Sequence, residues 1–155
     1  MAEEPKSDER EKLRLDLVRR FSINVPHNRA LGMWIEDMQP KMALFRLPYD
    51  EKLVGNPDTG VIHGGAITAL LDGASGAAVF ATLVELVPIA TLDLRIDYLR
   101  PAEPRRDVYA RATCYKMTKN VAFTRAVAYH DDEADPIAHS VGTFMVSTKA
   151  GSSKK

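Results

Sequence analysis

The sequence predicts an α+β domain in which one antiparallel sheet wraps a buried helix, and three observations predict it. Residues 63–84 carry Ala66, Ala69, Ala74, Ala77, Ala78 and Ala81 together with Ile67, Leu70, Leu71, Val79, Phe80 and Leu83. Apolar side chains therefore fall on every face, the mark of a helix buried nearly all round. From residue 89 onward four strand-like segments follow one another, a run of strands after a helix rather than strands alternating with helices. The length of 155 residues, 45% hydrophobic and 27% charged, is that of one domain with a real core.

The elements can be taken in order. Residues 1–7 and 149–155 are polar and small and read as frayed tails. In 8–21, Leu13, Leu17 and Phe21 recur every four positions among charged residues, and Ser7 or Asp8 can cap the start. That spacing predicts an amphipathic helix lying on the body of the domain. Loose alternation over 33–38 and 41–47 fits a hairpin around Gln39-Pro40, with a register that Pro40 leaves open. Residues 50–62, with Gly55, Asn56, Pro57, Asp58 and Gly60, read as a turn-rich loop. In the buried helix, Gly65, Gly73 and Gly76 each lower helix propensity by about 1 kcal/mol relative to Ala, and they let neighbouring backbones come close. Over 91–98, Leu92, Leu94, Ile96 and Tyr98 alternate with Thr91, Asp93, Arg95 and Asp97, until Pro101 and Pro104 end the segment. Strands over 107–117 and 121–130 are joined by Thr118-Lys119-Asn120, and a turn over 131–136 leads to a last strand over 137–148. The resulting organisation is an N-terminal tail and amphipathic helix over 1–22, one domain over 23–148 and a disordered C-terminal tail over 149–155.

Composition excludes several classes of function. The 21 Lys and Arg residues balance the 21 Asp and Glu residues, so the basic excess of a nucleic-acid-binding domain is missing, and bulk attraction to anionic membrane is unsupported. The single cysteine, Cys114, cannot close an intramolecular disulfide and reads as a packed strand thiol. His27, His63, His130 and His139 show no metal-ligand spacing, and no metal is expected. His130 and His139 read as packed or surface histidines. The N-terminus is acidic and polar, unlike a signal peptide, and no uncharged run reaches the roughly 18 residues of a spanning helix. A cytoplasmic, reduced protein is the expectation.

The chemistry-bearing segment runs from Asn56 to Gly65 and into the helix that contains Asp72. A helix N-terminus presents unpaired N–H groups and the positive end of the dipole. Glycines there let a ligand oxygen approach the backbone, so His63-Gly64-Gly65 suits an oxyanion, or else merely eases a loop into a helix. Asp72 is the only charged residue between Asp58 and Glu85, set among Leu70, Leu71, Gly73 and Ala74. A carboxylate in such surroundings costs several kcal/mol unless it is paired or hydrogen-bonded. It reads either as a general base or nucleophile, with a pKa raised by burial, or as a hydrogen-bond partner between helices. Gly64 and Asp72 stand eight positions apart, about 12 Å along one axis, so the two cannot touch one reacting carbon from the same helix. If both act, they come from two copies of the chain. Gly73-Ala74-Ser75-Gly76-Ala77 misses the nucleophile elbow because Ala77 stands where the second glycine belongs, and no dinucleotide or P-loop fingerprint appears.

Three features together resemble the hotdog-fold acyl-CoA thioesterases, in particular the phenylacetate-degradation (PaaI-like) branch. These are the His63-Gly64-Gly65 start, Asp72 nine residues after the histidine, and Thr91-Leu92-Asp93-Leu94-Arg95-Ile96-Asp97-Tyr98-Leu99-Arg100-Pro101, with Gly142-Thr143-Phe144 closing the last strand. The resemblance spans roughly residues 25–148. It implies a long helix wrapped by five or six antiparallel strands, a dimer joined edge to edge, and commonly a dimer of dimers. It also implies hydrolysis of an acyl-CoA thioester with no metal and no cofactor, coenzyme A being part of the substrate. By position, Asp72 would activate water or attack directly, and Gly64 N–H would polarise the thioester carbonyl. His63 would hold the loop or contact the thioester, and Thr91 would lie near the attacking water. Asn56 stands one residue further from the histidine than the family's asparagine does, so it is either that residue on a longer loop or only the start of a turn. Gly65, Leu71 and Tyr98 are expected to line the substrate site, in an acyl pocket drawn also from Leu70, Ala74, Phe80 and the dimer partner, suited to an aryl or medium-chain group. Arg100, Arg105, Arg106 and Lys119 are the candidates for the coenzyme A phosphates. A non-catalytic acyl-CoA-binding protein and a hotdog hydratase or dehydratase are the rival readings, since the fold hosts all three.

Overall fold

The computed structural model describes residues 7–147. Helix α1 (Ser7–Asn24) and the short α2 (Pro26–Leu31) lead into β1 (Trp34–Gln39) and β2 (Met42–Leu47). A 3-10 turn over Glu51–Leu53 precedes two small strands, β3 (Val54–Asn56) and β4 (Val61–Ile62), and the central helix α3 (Gly64–Phe80). Four strands complete the fold, β5 (Ile89–Tyr98), β6 (Val108–Met117), β7 (Val121–Tyr129) and β8 (Ala138–Val146). The main sheet has the order β1-β2-β6-β7-β8-β5, every neighbouring pair antiparallel, and α3 packs on it most heavily through β2, β6 and β7. This is the expected wrapped helix with six strands. Of the tails expected over 1–7 and 149–155, residues 1–6 and 149–155 lie outside the described residues, and Ser7 opens α1.

The core follows from α3. Leu70, Leu71, Ala74 and Ala78 are fully buried in one core cluster with Phe45 and Leu47 of β2, Val108 of β6 and Phe144 of β8. Burying each leucine contributes about 1.5–3 kcal/mol. The helix is not buried all round, however. Gly65, Thr68, Ala69, Asp72, Gly73, Gly76 and Phe80 are half-buried or exposed and form a continuous open face at helical spacing. The small residues that suggested a helix gripped on all sides instead leave room along that face. The helix also ends at Phe80 rather than near residue 84. Ala81–Leu83 turn out of it, and Val84 is exposed.

The N-terminal helix forms, but on a different face from the one expected. Leu13 and Leu17 point to solvent, whereas Val18 and Ser22 are buried and Leu15 is half-buried; the side chain of Phe21 lies outside the described residues. Arg14 explains the choice. Its guanidinium donates to the carbonyls of Phe80 (2.9 Å), Ala81 (3.1 Å) and Leu83, satisfying the end of a helix that has no basic residue in its own last turn. That seat turns the Leu15–Val18–Ser22 side inward. The sequence reading assigned nothing to 23–32, where α2 begins at Pro26 and is closed by Gly32 in the left-handed region (φ 71°).

Two local features aim the site. The expected turn-rich loop over 50–62 contains the β3–β4 hairpin, which brings the Gly55 backbone against His63. A Cβ on Gly55 would lie 2.8 Å from His63 Cα, so only glycine fits. In β5, Thr91 pairs with Phe144 and Asp93 with Thr143, leaving Leu92 as an extra residue. This bulge puts Thr91 on the same face as Leu94, Ile96 and Tyr98, where strict alternation would have turned it away with Asp93 and Arg95. No helix among the described residues is long and apolar enough to cross a membrane.

Candidate active site

His63 sits immediately before α3 in an extended conformation, and its Nδ1 accepts the Gly65 N–H (2.9 Å). The ring thus caps the helix, and His63 N–H is itself tied to Leu53 O (2.8 Å). With Gly65 engaged and Ala66 N–H bonded to His63 O (2.9 Å), Gly64 N–H remains at the first helical position, which has no intrahelical acceptor. Tyr98, at the end of β5, donates its hydroxyl to Gly64 O (2.7 Å) and stands 2.8 Å from Thr68 Oγ1. The phenol therefore holds the first turn of α3 against the sheet edge.

About 12 Å further along the axis, Asp72 Oδ1 accepts the Thr91 hydroxyl (3.0 Å). The carboxylate is half-buried on the open face of α3, while its sequence neighbours Leu70, Leu71 and Ala74 point into the core. Leu71, expected to line the substrate site, therefore does not reach it, and neither do Leu70 and Ala74. At 100° per residue, a helix with Asp72 in the open turns them to the sheet.

Asp72 opens into a cleft of about 550 Å³ whose polar lining includes Gly65, Thr68, Asp72 and Thr91. Its apolar walls come from Val18, Val25, Met33, Phe80, Ile89, Leu94 and Phe144. The α1–α2 wall, with Ser22, His27 and the buried Asn28 (Nδ2 to Ser22 O, 3.0 Å), escaped the sequence reading, although Pro26 signalled a helix start. Thr68 was also missed. It lies four residues before Asp72, a polar residue on the same face of an otherwise apolar helix.

The remaining candidates are placed as follows. Asn56 is exposed and starts a turn. Its Oδ1 accepts Asp58 N–H (3.0 Å), and its backbone carbonyl accepts Gly60 N–H (2.8 Å). Tyr49 OH donates to Gly60 O (3.0 Å), and Tyr49 N–H to Asp107 Oδ1 (2.9 Å), so the loop before His63 is tied to the start of β6. Arg100 is forked onto Asp135 (3.1 and 2.8 Å), and Arg106 is shared between Glu103 and Asp131. Arg105, in the left-handed region (φ 60°), lines a groove with Tyr49, Asp58 and Thr59. These three arginines lie in the β5–β6 loop, whereas Lys119 lies in the β6–β7 turn at the other end of β6, so within one chain the four do not form one cluster. His130 is buried, with Nδ1 on Asp107 O (2.7 Å) and Nε2 accepting Glu103 N–H (2.9 Å). His139 is exposed, and Cys114 is buried in β6.

A long helix held in a curled antiparallel sheet, capped by His-Gly-Gly and carrying a hydroxyl-bonded carboxylate beside an apolar cleft, defines a hotdog-fold thioesterase. Residues 59–137 match the family model described as Thioesterase superfamily, and the chain belongs to that family. Medium/long-chain acyl-CoA thioesterase YigI of Escherichia coli (strain K12) is 34% identical over 139 residues, covering 81% of this chain and 88% of its own. A crystal structure of a Pseudomonas aeruginosa protein is 49% identical with a TM-score of 0.77, covering 84% of this chain and 97% of that one. A mutant of phenylacetic acid degradation protein PaaI from Thermus thermophilus is 26% identical with a TM-score of 0.68, over 78% of this chain and 98% of that one.

Proposed function

We propose that this thioesterase hydrolyses medium-chain acyl-CoA thioesters to the free acid and coenzyme A. The observation that carries the reading is the Thr91–Asp72 pair facing an apolar cleft. A protein that only stored an acyl group would have no use for a carboxylate there, because desolvating it on binding costs several kcal/mol. The name of the Escherichia coli relative supports the same substrate class.

Thr91 occupies Oδ1, so Oδ2 is the oxygen that takes a proton from water. The hydroxide adds to the thioester carbon, and the developing oxyanion is held by Gly64 N–H at the positive end of α3. As the tetrahedral centre collapses, the C–S bond breaks, and the thiolate recovers the proton from Asp72. The 12 Å between Gly64 and Asp72 requires the N–H to come from a second copy of the chain. His63 acts by capping the helix and fixing Gly64. Among the basic residues expected at the coenzyme A phosphates, Arg105 is the one in the β5–β6 loop without a carboxylate partner among the described residues.

The test is a panel of acyl-CoA esters with a free-thiol readout, run on the wild type and Asp72→Asn. Release of thiol by the wild type and its loss in the variant is the expected result. A wild type that binds the esters without releasing thiol would establish the non-catalytic reading instead.

A further inference from the structure

We propose that Phe80 sets the longest acyl chain the enzyme accepts, acting as the end stop of a channel that α1 and α2 close against α3. The inference rests on the acyl-CoA reading of the site and adds a gauge to it. Asp72 and Phe80 both line the cleft and stand eight residues apart on one helix. The interval is about 12 Å along the axis, which an extended chain of about ten carbons spans. Strand β5 runs antiparallel to α3 along the same interval. Thr91 bonds Asp72, and Ile89 lies beside Gly76 (3.8 Å from where a Cβ would stand). The channel therefore has a polar end at Asp72 and an apolar end at Phe80 and Ile89.

The end stop is fixed by the chain's own contacts. Arg14 holds the Phe80 carbonyl (2.9 Å), and one turn later on α1 the buried Val18 forms part of the facing wall. The width of the channel and the position of its stop thus depend on the same helix. Gly76 lies midway, and a Cβ there would meet Phe144 at 3.7 Å and Ile89 at 3.8 Å, ordinary contact distances. Position 76 therefore has room for a Cβ, and larger side chains there would narrow the channel between Phe144 and Ile89.

The experiment measures kcat/KM from butyryl- to palmitoyl-CoA for the wild type, Phe80→Ala and Gly76→Val, with Tm recorded for each. Phe80→Ala should raise the ratio of palmitoyl to octanoyl turnover about tenfold, and Gly76→Val should lower the ratio of decanoyl to butyryl turnover about tenfold, each the worth of roughly two buried methylenes. Where a variant does not fold, Phe80→Leu and Gly76→Ala are read for smaller shifts in the same directions. Equal losses at every chain length would make Phe80 a packing residue and overturn the proposal. A wild type that turns over no chain of the panel would overturn the acyl-CoA reading itself, and the gauge with it.

Discussion

Asp72 faces its cleft with the neutral Thr91 hydroxyl as its hydrogen-bond partner. Asp72→Asn should lower kcat by roughly 10²–10⁴-fold, the usual worth of a positioned base, with Tm and dimerisation preserved because the amide is nearly isosteric. Thr91→Val should lower kcat by about tenfold with KM little changed, since only the aim of the carboxylate is lost. Rescue of most of that activity by Thr91→Ser, measured in the same assay, would separate a hydroxyl's positioning role from a packing one. Asp72 was legible in the sequence because it stands alone in a long uncharged stretch. Thr91 was legible only through the family resemblance. Alternation sorts it with Asp93 and Arg95, and a bulge at Leu92 leaves no residue-type signal.

At the level of elements, α1, α3 and the six strands of the main sheet were readable from periodicity, whereas α2, the β3–β4 hairpin and the side on which α1 rests were not. Leu13 and Leu17 gave the stronger stripe, yet the helix is seated by a charged residue whose three acceptors lie at the end of α3. Such long-range carbonyl acceptors leave no mark in local sequence. Arg14→Met should keep the stem's apolar contact and lose those bonds, lowering stability by about 1–3 kcal/mol in urea unfolding. A second tie is Asp107. Burial pushes its pKa up, but the Tyr49 N–H and the Arg46 guanidinium outweigh that and hold the carboxyl below its ordinary value. With the folded pKa below the unfolded one, the stabilisation is complete above about pH 4 and fades as pH falls through the folded value. Asp107→Asn should therefore melt lower than the wild type at neutral pH and lose less Tm between neutral pH and about pH 3. The measurement is a melting series across that range.

The sheet as a whole has two edges. β1 is six residues long, carries a bulge and presents Glu36 and Asp37, features that discourage pairing. β5 is ten residues long, pairs on one side with β8, and exposes Leu92 and Tyr98, so it is the edge that a dimer joined edge to edge is expected to use. The shared site can be tested without a structure of the pair. Gly64→Pro removes one N–H at a first helical position that tolerates proline, and His63 already has the extended backbone that proline demands of its predecessor. Gly64→Pro and Asp72→Asn chains should each be inactive alone. A purified heterodimer of the two should recover about half of the wild-type kcat per dimer, because symmetry leaves one of its two sites intact. An inactive heterodimer would place both groups in one chain. The helix rise between residues 64 and 72 is what leads the sequence to expect two copies if both groups act, whereas the choice of an edge for them draws on the strand order.

The extra residue in β5 has a consequence for how this strand can change. Thr91 bonds Asp72 of its own chain, and the segment after it forms the sheet edge, yet both belong to one continuous strand. The ladder passes from the pair Thr91–Phe144 to the pair Asp93–Thr143 without counting Leu92. A deletion at that point would leave Thr91 facing Asp72 and Tyr98 facing Gly64. A residue inserted within 93–98 would turn one half of the strand over. At this place the chain has to preserve the face that Thr91 presents, and only changes in length that keep it are tolerated.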